Sequence, residues 1–299
     1  MQAGVEVILN AGSGASEAEG LRRLISDQFT ALGFEARVRL VRGGGQLAAA
    51  ARGAAEGDAG CVVAAGGDGT INAVASALLG TGKSLGVLPV GTFNYFARSL
   101  GIPPDLEGAV GTVAAGNVAE VAVGEVNGRL FINNASIGLY PSIIRQREQE
   151  YRRWGRRQLV AYTAVARALF QRSPFVGVSL WTGGQELSAR TPLVFVGANR
   201  YQIEEFGLPG AECVGRGELA VYVARPTGWA GLLRLALQAL LRRLSGERSL
   251  HFMCASEARV ETRRKRIPVA LDGEVVLVET PLRFAKRPAA LKVVVPGEV

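Results

Sequence analysis

The strongest constraint on the fold is an alternation of short apolar runs with helical patterns in the N-terminal part of the chain. The apolar run at residues 5–9 is followed by apolar residues at helical spacing over residues 21–32. Residues 34–40 alternate strictly between apolar and polar, and residues 61–65 are apolar throughout. Because strands separated by helices pair in parallel, this order predicts a parallel sheet with helices on both faces.

The pattern changes near residue 123. Residues 121–126 and 129–132 are strand-like, and Asn127-Gly128 between them is a strong signal for a hairpin turn. Further strand-like runs occupy residues 175–182, 187–196, 219–224, 267–271 and 275–278, with helices predicted at about 142–172 and 229–244. Such a series is typical of a β-sandwich or barrel. We therefore predict an α/β domain at residues 1–123 and a β-rich domain at residues 124–287.

A glycine-rich loop follows the strand predicted at residues 61–65. It consists of Gly66-Gly67-Asp68-Gly69-Thr70-Ile71-Asn72 and runs directly into a helical pattern. Glycine lets the backbone approach a phosphate closely, and a helix N-terminus offers N–H groups and the positive end of a dipole. The sequence therefore indicates an anion-binding loop. A glycine-rich turn capped by Asp68 or Thr70 is the alternative.

Two other predicted strands also end in small polar loops. Asn10-Ala11-Gly12-Ser13-Gly14 follows the first strand, and Gly91-Thr92-Phe93-Asn94 follows the strand that ends at Pro89. Because the carboxyl ends of parallel strands lie on one edge of a sheet, the three loops can converge on one nucleotide. These loops contain no lysine of the Walker type, which disfavours a P-loop fold. The predicted nucleotide-binding residues are Asn10, Ser13, Gly14, Gly66, Gly67, Asp68, Gly69, Thr70, Asn72, Gly91, Thr92 and Asn94.

Composition narrows the class of protein and its partners. A chain of 299 residues with 48% hydrophobic residues suits two domains of ordinary size. The net charge of +8 indicates an acidic partner, which could be a nucleotide, a nucleic acid or an anionic membrane surface. Basic residues solvated on the surface are an equally good explanation of the charge.

Targeting signals and cysteines bear on location. The opening segment has no apolar run of signal-peptide length, and the apolar stretch at residues 229–244 is interrupted by arginines and a glutamine. We therefore expect neither a secretory signal nor a membrane span. Cys61, Cys213 and Cys254 match neither a disulfide framework nor a zinc site, which favours a reducing cytoplasm.

Five segments of the sequence, taken in order, carry a family resemblance. They are Asn10-Ala11-Gly12-Ser13-Gly14, Gly66-Gly67-Asp68-Gly69-Thr70, Gly91-Thr92-Phe93-Asn94, Asn133-Asn134-Ala135-Ser136-Ile137-Gly138 and Asp272-Gly273-Glu274. Together they resemble the catalytic-domain family of diacylglycerol kinases and sphingosine kinases, and its bacterial lipid kinases in particular. The Gly-Gly-Asp-Gly-Thr loop is shared with NAD kinases, so by itself it indicates only the superfamily.

The resemblance implies a fold. It implies an N-terminal doubly wound α/β nucleotide-binding domain, a C-terminal β-sandwich domain that binds lipid or another substrate, and an interdomain cleft. The last strand of the family returns to the first domain, a role that residues 288–299 could fill.

The resemblance also implies an activity and assigns residues to it. The activity is transfer of the γ-phosphoryl group of ATP, with Mg²⁺, to a lipid alcohol such as diacylglycerol, phosphatidylglycerol or a sphingoid base. Glu274 corresponds to the catalytic base, and Asp272 would orient it or help to hold Mg²⁺. Asp68 would bind Mg²⁺ through water or shape its loop. From the residues alone, Asp272-Gly273 is what a tight hairpin requires, with Glu274 solvated.

Several positions depart from the family pattern. Tyr95 and Ala122 stand where the family commonly has aspartates, and Gly215 and Arg216 replace the acidic pair of a structural magnesium loop. Because hard cations need oxygen ligands, we expect this second metal site to be absent. The alternatives are therefore an NAD kinase and a catalytically silent nucleotide- or lipid-binding regulator. Nucleic-acid binding is not expected, since the basic residues form no known module.

A lipid kinase without a membrane span must meet its substrate at the bilayer surface. The basic helix predicted at residues 142–172 could attract anionic headgroups at the inner face of the membrane through Arg145, Arg147, Arg152, Arg153, Arg156 and Arg157. A solvated helix face is the alternative. The basic run at residues 263–266 could act similarly or protect an edge strand. The sequence predicts no oligomeric state, and a homodimer is compatible with it.

Overall fold

The computed structural model describes residues 4–10, 15–154, 175–182, 185–225, 231 and 250–297. The chain divides into two compact units. The first consists of Met1–Val123 and Arg287–Val299, and the second consists of Gly124–Lys286. None of the helices in the described part of the chain combines the length and apolar character needed to cross a membrane.

The first unit alternates strands and helices. Its elements are β1 (Val5–Asn10), α1 (Ala15–Ala31), β2 (Ala36–Val41), α2 (Gly44–Glu56), β3 (Cys61–Gly66), α3 (Asp68–Leu78), β4 (Ser84–Pro89), α4 (Tyr95–Ser99) and α5 (Leu106–Ala115). Consecutive residues of β1, β3 and β4 are buried. Because successive side chains of a strand point to opposite faces, both faces of this sheet are covered.

The strands of the first unit are parallel, in the order β2-β1-β3-β4. The final strand of the chain, β16 (Leu282–Val294), adds a parallel partner to β4 through Lys292 and Val293. This arrangement brings the loops that follow β1, β3 and β4 to the same edge of the sheet.

The second unit is mainly β. Its elements are β5 (Val118–Val126), which begins in the first unit, β6 (Arg129–Phe131), β7 (Asn134–Gly138), α6 (Leu139–Trp154), β8 (Val176–Thr182), β9 (Gln185–Thr191), β10 (Leu193–Gly197), α7 (Arg200–Glu205), α8 (Ala211–Gly215), β11 (Leu219–Ala224), β12 (Leu250–Ala255), β13 (Glu257–Thr262), β14 (Arg266–Leu271), β15 (Glu274–Glu279) and the first part of β16.

Two layers of strands enclose the core of this unit. One is the six-stranded sheet β12-β11-β10-β7-β14-β15, and the other contains β16-β13-β8-β9. Leu180 and Val260 from the second layer join Val221 and Val269 from the first in one buried apolar cluster. The expected combination of an N-terminal α/β domain with a C-terminal β-rich domain is confirmed.

Three expectations from the sequence need correction or lie outside the described residues. The single strand expected over residues 187–196 is wrong, because the chain leaves β9 at Thr191 and enters β10, in the other layer, at Leu193. Pro192 lies between them, and proline cannot donate a ladder hydrogen bond. The helix expected at residues 229–244 and the basic stretch beyond Trp154 fall outside the described residues, apart from residue 231.

The cysteines also differ from expectation. Cys213 in α8 and Cys254 in β12 form a disulfide, with Cα atoms 5.6 Å apart. The two are 41 residues apart in sequence, and only the folded chain brings α8 beside β12. Cys61 is a free thiol, and burial raises its pKa to about 11.

Candidate functional site

Two glycine-containing loops touch each other at the edge of the parallel sheet. A Cβ placed on Gly91 would overlap the Cα of Gly67, and its nearest side-chain neighbour would be the Asn94 Oδ1 at 2.8 Å. A Cβ on Gly66 would overlap the side chain of Thr70. Glycine is therefore required for packing at Gly66 and Gly91, and the lack of side chains there lets a ligand approach the loop backbone closely.

The first turn of α3 is tied to the end of β1. The Asn10 Nδ2 donates to the Thr70 Oγ1 at 3.0 Å, and Thr70 is buried. The N–H groups of Thr70 and Ile71 both donate to the carbonyl of Gly67. Ser13 and Gly14, which were also predicted to bind the nucleotide, lie outside the described residues.

Asp68 joins the two loops. Its Oδ2 accepts from the backbone N–H of Tyr95 at 3.2 Å, and its Oδ1 accepts from that of Phe96 at 3.0 Å. These N–H groups begin α4, so the carboxylate meets the positive end of the short helix. In this structure the side chain of Asp68 shapes the site by fixing where α4 starts.

Asn94 closes the loop after β4. It has a left-handed backbone conformation, with φ of 52°, and its Nδ2 donates to the carbonyls of Pro89 and Gly91. Its Oδ1 is buried and has no hydrogen-bond partner within the described part of the chain. Thr92 and Phe93 of the same loop are exposed. An acceptor oxygen buried without a donor suggests that a bound molecule completes the site.

The described members of the predicted nucleotide set thus lie at one sheet edge. Asn72 is the most peripheral of them, since its Oδ1 accepts from Ser76 one turn further along α3. Glycine backbone, the start of α3 and the hydroxyl of Thr70 offer donors, while no lysine of the Walker type lies in these loops. The arrangement is that of an anion cradle made from backbone.

In the second unit, Asp272 anchors the turn between β14 and β15. Its Oδ2 accepts from the N–H of Ile132 at 2.7 Å, and its Oδ1 accepts from those of Asn133 and Asn134 at 2.8 and 2.9 Å. Asp272 and Gly273 both have positive φ, at 46° and 89°, as a type I′ hairpin turn requires. Glu274 follows directly, at the start of β15, and is exposed.

Buried amides that were not predicted as site residues support this turn. The Asn199 Nδ2 donates to the Asn133 Oδ1 at 2.7 Å, and the Asn134 Nδ2 donates to the Gln202 Oε1 at 2.9 Å. All four side chains are buried. In the sequence, Asn133 and Asn134 stand in the family motif at residues 133–138, whereas Asn199 and Gln202 belong to none of the motifs. In the structure, Asn199 caps α7 by accepting from the N–H of Gln202.

The chain is similar in sequence and in fold to known lipid kinases. A family model described as the diacylglycerol kinase catalytic domain matches residues 4–126. The N-terminal domain therefore matches the diacylglycerol kinase catalytic-domain family. The resemblance drawn from the sequence motifs is confirmed.

Curated relatives match just under half of this chain. A diacylglycerol kinase of Bacillus subtilis (strain 168) is 39% identical over 135 residues, which is 44% of this chain and 45% of the relative. A protein named probable lipid kinase YegS-like, from Cronobacter sakazakii, is 38% identical over 141 residues, or 46% of each chain. The matched region therefore spans just under half the length of these relatives.

A solved structure matches over the whole chain. A crystal structure of a diacylglycerol kinase from Bacillus anthracis has a TM-score of 0.70 and 20% identity, covering 99% of this chain and 97% of the other. At this level of identity the likeness concerns the fold alone. It extends the shared architecture from the diacylglycerol kinase domain to the second unit.

The carboxylates predicted to hold Mg²⁺ are already engaged by the backbone. Asp68 accepts from two N–H groups and Asp272 from three, so neither carboxylate offers a dedicated cation cage. At the family's other metal loop, Gly215 ends α8 and the Arg216 Nη2 lies 3.1 Å from the Glu218 Oε2. The guanidinium of Arg216 thus lies beside the carboxylate of Glu218, the acidic residue that this loop retains. The donor set of the diacylglycerol kinase domain fits a nucleotide better than a metal held by protein alone.

Proposed function

We propose that the protein is an ATP-dependent lipid kinase that transfers the γ-phosphoryl group to the hydroxyl of a lipid alcohol. The observation that carries the proposal is the backbone cradle formed by Gly66, Gly67 and Gly91 within a diacylglycerol kinase catalytic domain. The names of the curated relatives, diacylglycerol kinase and probable lipid kinase, support a lipid acceptor.

The cradle suits the phosphates of ATP. The first turn of α3 provides N–H groups and the positive end of its dipole, and Thr70 provides a buried hydroxyl held by Asn10. Asp68 fixes α4 against this turn, which keeps the two loops in contact. When bound, ATP supplies the γ-phosphoryl group, and Mg²⁺ is expected to enter on its phosphates.

Glu274 is proposed as the general base. Its place directly after the anchored turn at Asp272 limits the positions its carboxylate can reach. Asp272 is proposed to act as a positioning residue. Its carboxylate is held by three N–H groups, which fixes the backbone from which Glu274 extends.

The acceptor class follows from the family. Diacylglycerol, phosphatidylglycerol and sphingoid bases each carry a hydroxyl that this chemistry can phosphorylate. We propose a cytoplasmic protein that contacts the membrane surface peripherally, in keeping with its net charge of +8. An NAD kinase is the alternative, because the Gly66–Thr70 motif is shared with that family.

The test is transfer of labelled γ-phosphate from ATP and Mg²⁺ to these three lipids in mixed micelles and, separately, to NAD. The wild type is compared with Glu274→Gln and with Glu279→Gln as a matched control, since Glu279 is an exposed glutamate at the far end of β15. We expect a labelled lipid whose formation falls at least about a hundredfold in Glu274→Gln, the range of general base catalysis. Glu279→Gln should retain transfer.

The alternatives predict different results. Labelled NAD without labelled lipid would favour the NAD kinase. ATP binding without transfer to any acceptor would favour a silent regulator. Equal losses in the two variants would remove Glu274 from the mechanism while leaving the kinase assignment intact.

A further inference from the structure

A basic cavity lies in the second unit, away from the turn that carries Glu274. Its volume is about 1040 Å³, and its described lining comes from α6, the β8–β9 hairpin and the β13–β14 connection. Ile267 of β14 lines the cavity, whereas Glu274 lies opposite Leu271 in the register. Pro268 also lines the cavity, so three residues of strand, about 10 Å, lie between its wall and Leu271.

Four arginines line this cavity, which we call the arginine cavity. They are Arg145, Arg190, Arg263 and Arg264, and all four are exposed. Glu261 is the one acidic residue in the described lining, and it is ion-paired with Arg259. Within the part of the chain that the structure describes, no carboxylate forms an ion pair with any of the four arginines. Among the described residues, the lining therefore carries more positive than negative charge.

The side chain of one arginine is held in place, and so is the backbone that carries another. The Arg190 guanidinium lies over the ring of Phe175, 5.6 Å from its centroid. The carbonyl of Arg264 accepts from the hydroxyls of Thr262 and Thr280, at 3.1 and 2.7 Å, which fixes the backbone of the turn between β13 and β14. A fixed arginine loses less conformational entropy when it binds a phosphate.

The size of the cavity favours phospholipid headgroups over a single small anion. The four arginines come from three separate elements, and the volume of about 1040 Å³ is much larger than one phosphate. Its wall also contains apolar residues, including Val178 and Ile267. Arginine recognises phosphate through paired hydrogen bonds, and clustered arginines near a bilayer add binding energy from anionic lipids.

We propose that the arginine cavity binds the phosphate headgroups of an anionic bilayer. This inference rests on the proposed function, because a kinase acting on lipids must work at the bilayer surface. Glu274 is not among the residues that line the cavity, so the bound headgroup is distinct from the acceptor in this proposal. The cavity is thus an accessory membrane-binding site. It adds Arg190 to the membrane contact that the sequence indicates for the helix carrying Arg145 and for the basic run at residues 263–266.

The test is co-sedimentation with vesicles of phosphatidylcholine alone or mixed with phosphatidylglycerol, without ATP. It is repeated in the Glu274→Gln background, so that failure of the kinase proposal does not affect the result. The variant is Arg263→Gln/Arg264→Gln, and the matched control is Arg37→Gln/Arg52→Gln, which removes two exposed arginines from the first unit. Each arginine near an anionic surface contributes about fivefold in affinity, so the cavity variant should bind about tenfold more weakly or worse.

The proposal requires that the wild type binds only the mixed vesicles and that the control stays within about twofold of it. Thermal melting checks the fold of each variant, and Arg263→Lys/Arg264→Lys should retain most of the binding because it keeps the charge. Equal losses in the cavity variant and the control would mean that overall basicity, not the cavity, binds the bilayer. Absence of wild-type binding would overturn the proposal. If inorganic phosphate binds the wild type while the mixed vesicles do not, the cavity is assigned to a soluble anion instead.

Discussion

The carboxylate of Asp68 accepts a hydrogen bond from the backbone N–H of Phe96, with the Oδ1 3.0 Å from the nitrogen. Asp68 begins α3 and Phe96 lies in α4, so this contact joins the loops that follow β3 and β4. The same carboxylate accepts from Tyr95. One side chain therefore keeps the two halves of the cradle together.

Replacing Asp68 should loosen the cradle. Asp68→Asn keeps the size of the side chain but removes its charge and one acceptor, which should lower the free energy of unfolding by about 1–3 kcal/mol. ATP affinity should fall as well, measured by calorimetric titration alongside urea unfolding. The control is Asp58→Asn, an exposed aspartate. Unchanged stability in Asp68→Asn would mean that the contact with Phe96 contributes nothing.

Gly91 should not tolerate a methyl group. Its Cβ would overlap the Cα of Gly67, and backbone cannot move aside as a flexible side chain can. We expect Gly91→Ala to lose about 1–3 kcal/mol of stability, with weaker ATP binding, because overpacking forces the backbone to shift. Gly111→Ala is the matched control: it lies within α5, has no atom within 4 Å of its added Cβ, and should be neutral or stabilising by up to about 1 kcal/mol. Similar losses in both would argue against the close approach of the loops.

The sequence predicts those parts of the site that depend on residues close together along the chain. The loops at the ends of β1, β3 and β4 were predictable because apolar periodicity and glycine position are local signals. The Asn127-Gly128 and Asp272-Gly273 turns were predictable for the same reason, and all four residues have the expected positive φ. What the side chains bind was not predictable from local pattern.

Asp272 illustrates the limit. Its carboxylate holds the N–H groups of Ile132, Asn133 and Asn134, which are between 138 and 140 residues away in sequence. The pairing of Cys213 with Cys254 likewise depends on packing between α8 and β12. Such contacts depend on tertiary structure that a single sequence without an alignment does not reveal.

The contacts of Asp272 lead to a third prediction. Asp272→Asn leaves only one acceptor oxygen for three backbone N–H groups, so at least one of them loses its partner. We expect the free energy of unfolding to fall by about 2–3 kcal/mol, since an unsatisfied buried donor costs its full desolvation energy. Glu279→Gln, in the same hairpin, serves as the control because its ion pair with Arg266 is exposed and should cost less than about 1 kcal/mol. Equal effects in urea unfolding would contradict an anchoring role for Asp272.

Lys286 should make stability depend on pH in alkaline solution. Burial lowers its pKa from the ordinary 10.5 to about 8, while its Nζ donates to the carbonyl of Ala198 at 2.8 Å. Between about pH 8 and 10.5 the unfolded chain binds a proton that the folded chain has released, so this group makes the free energy of unfolding rise with pH. Below pH 8 both states are protonated and the contribution is constant. Relative to Lys286→Met, the wild type should therefore gain about 1–3 kcal/mol across this window in urea unfolding. Lys292→Met, which removes an exposed lysine, is the control, and the wild type should gain no stability relative to it across this window. A gain of the same size relative to Lys292→Met would show that burial of Lys286 is not the cause.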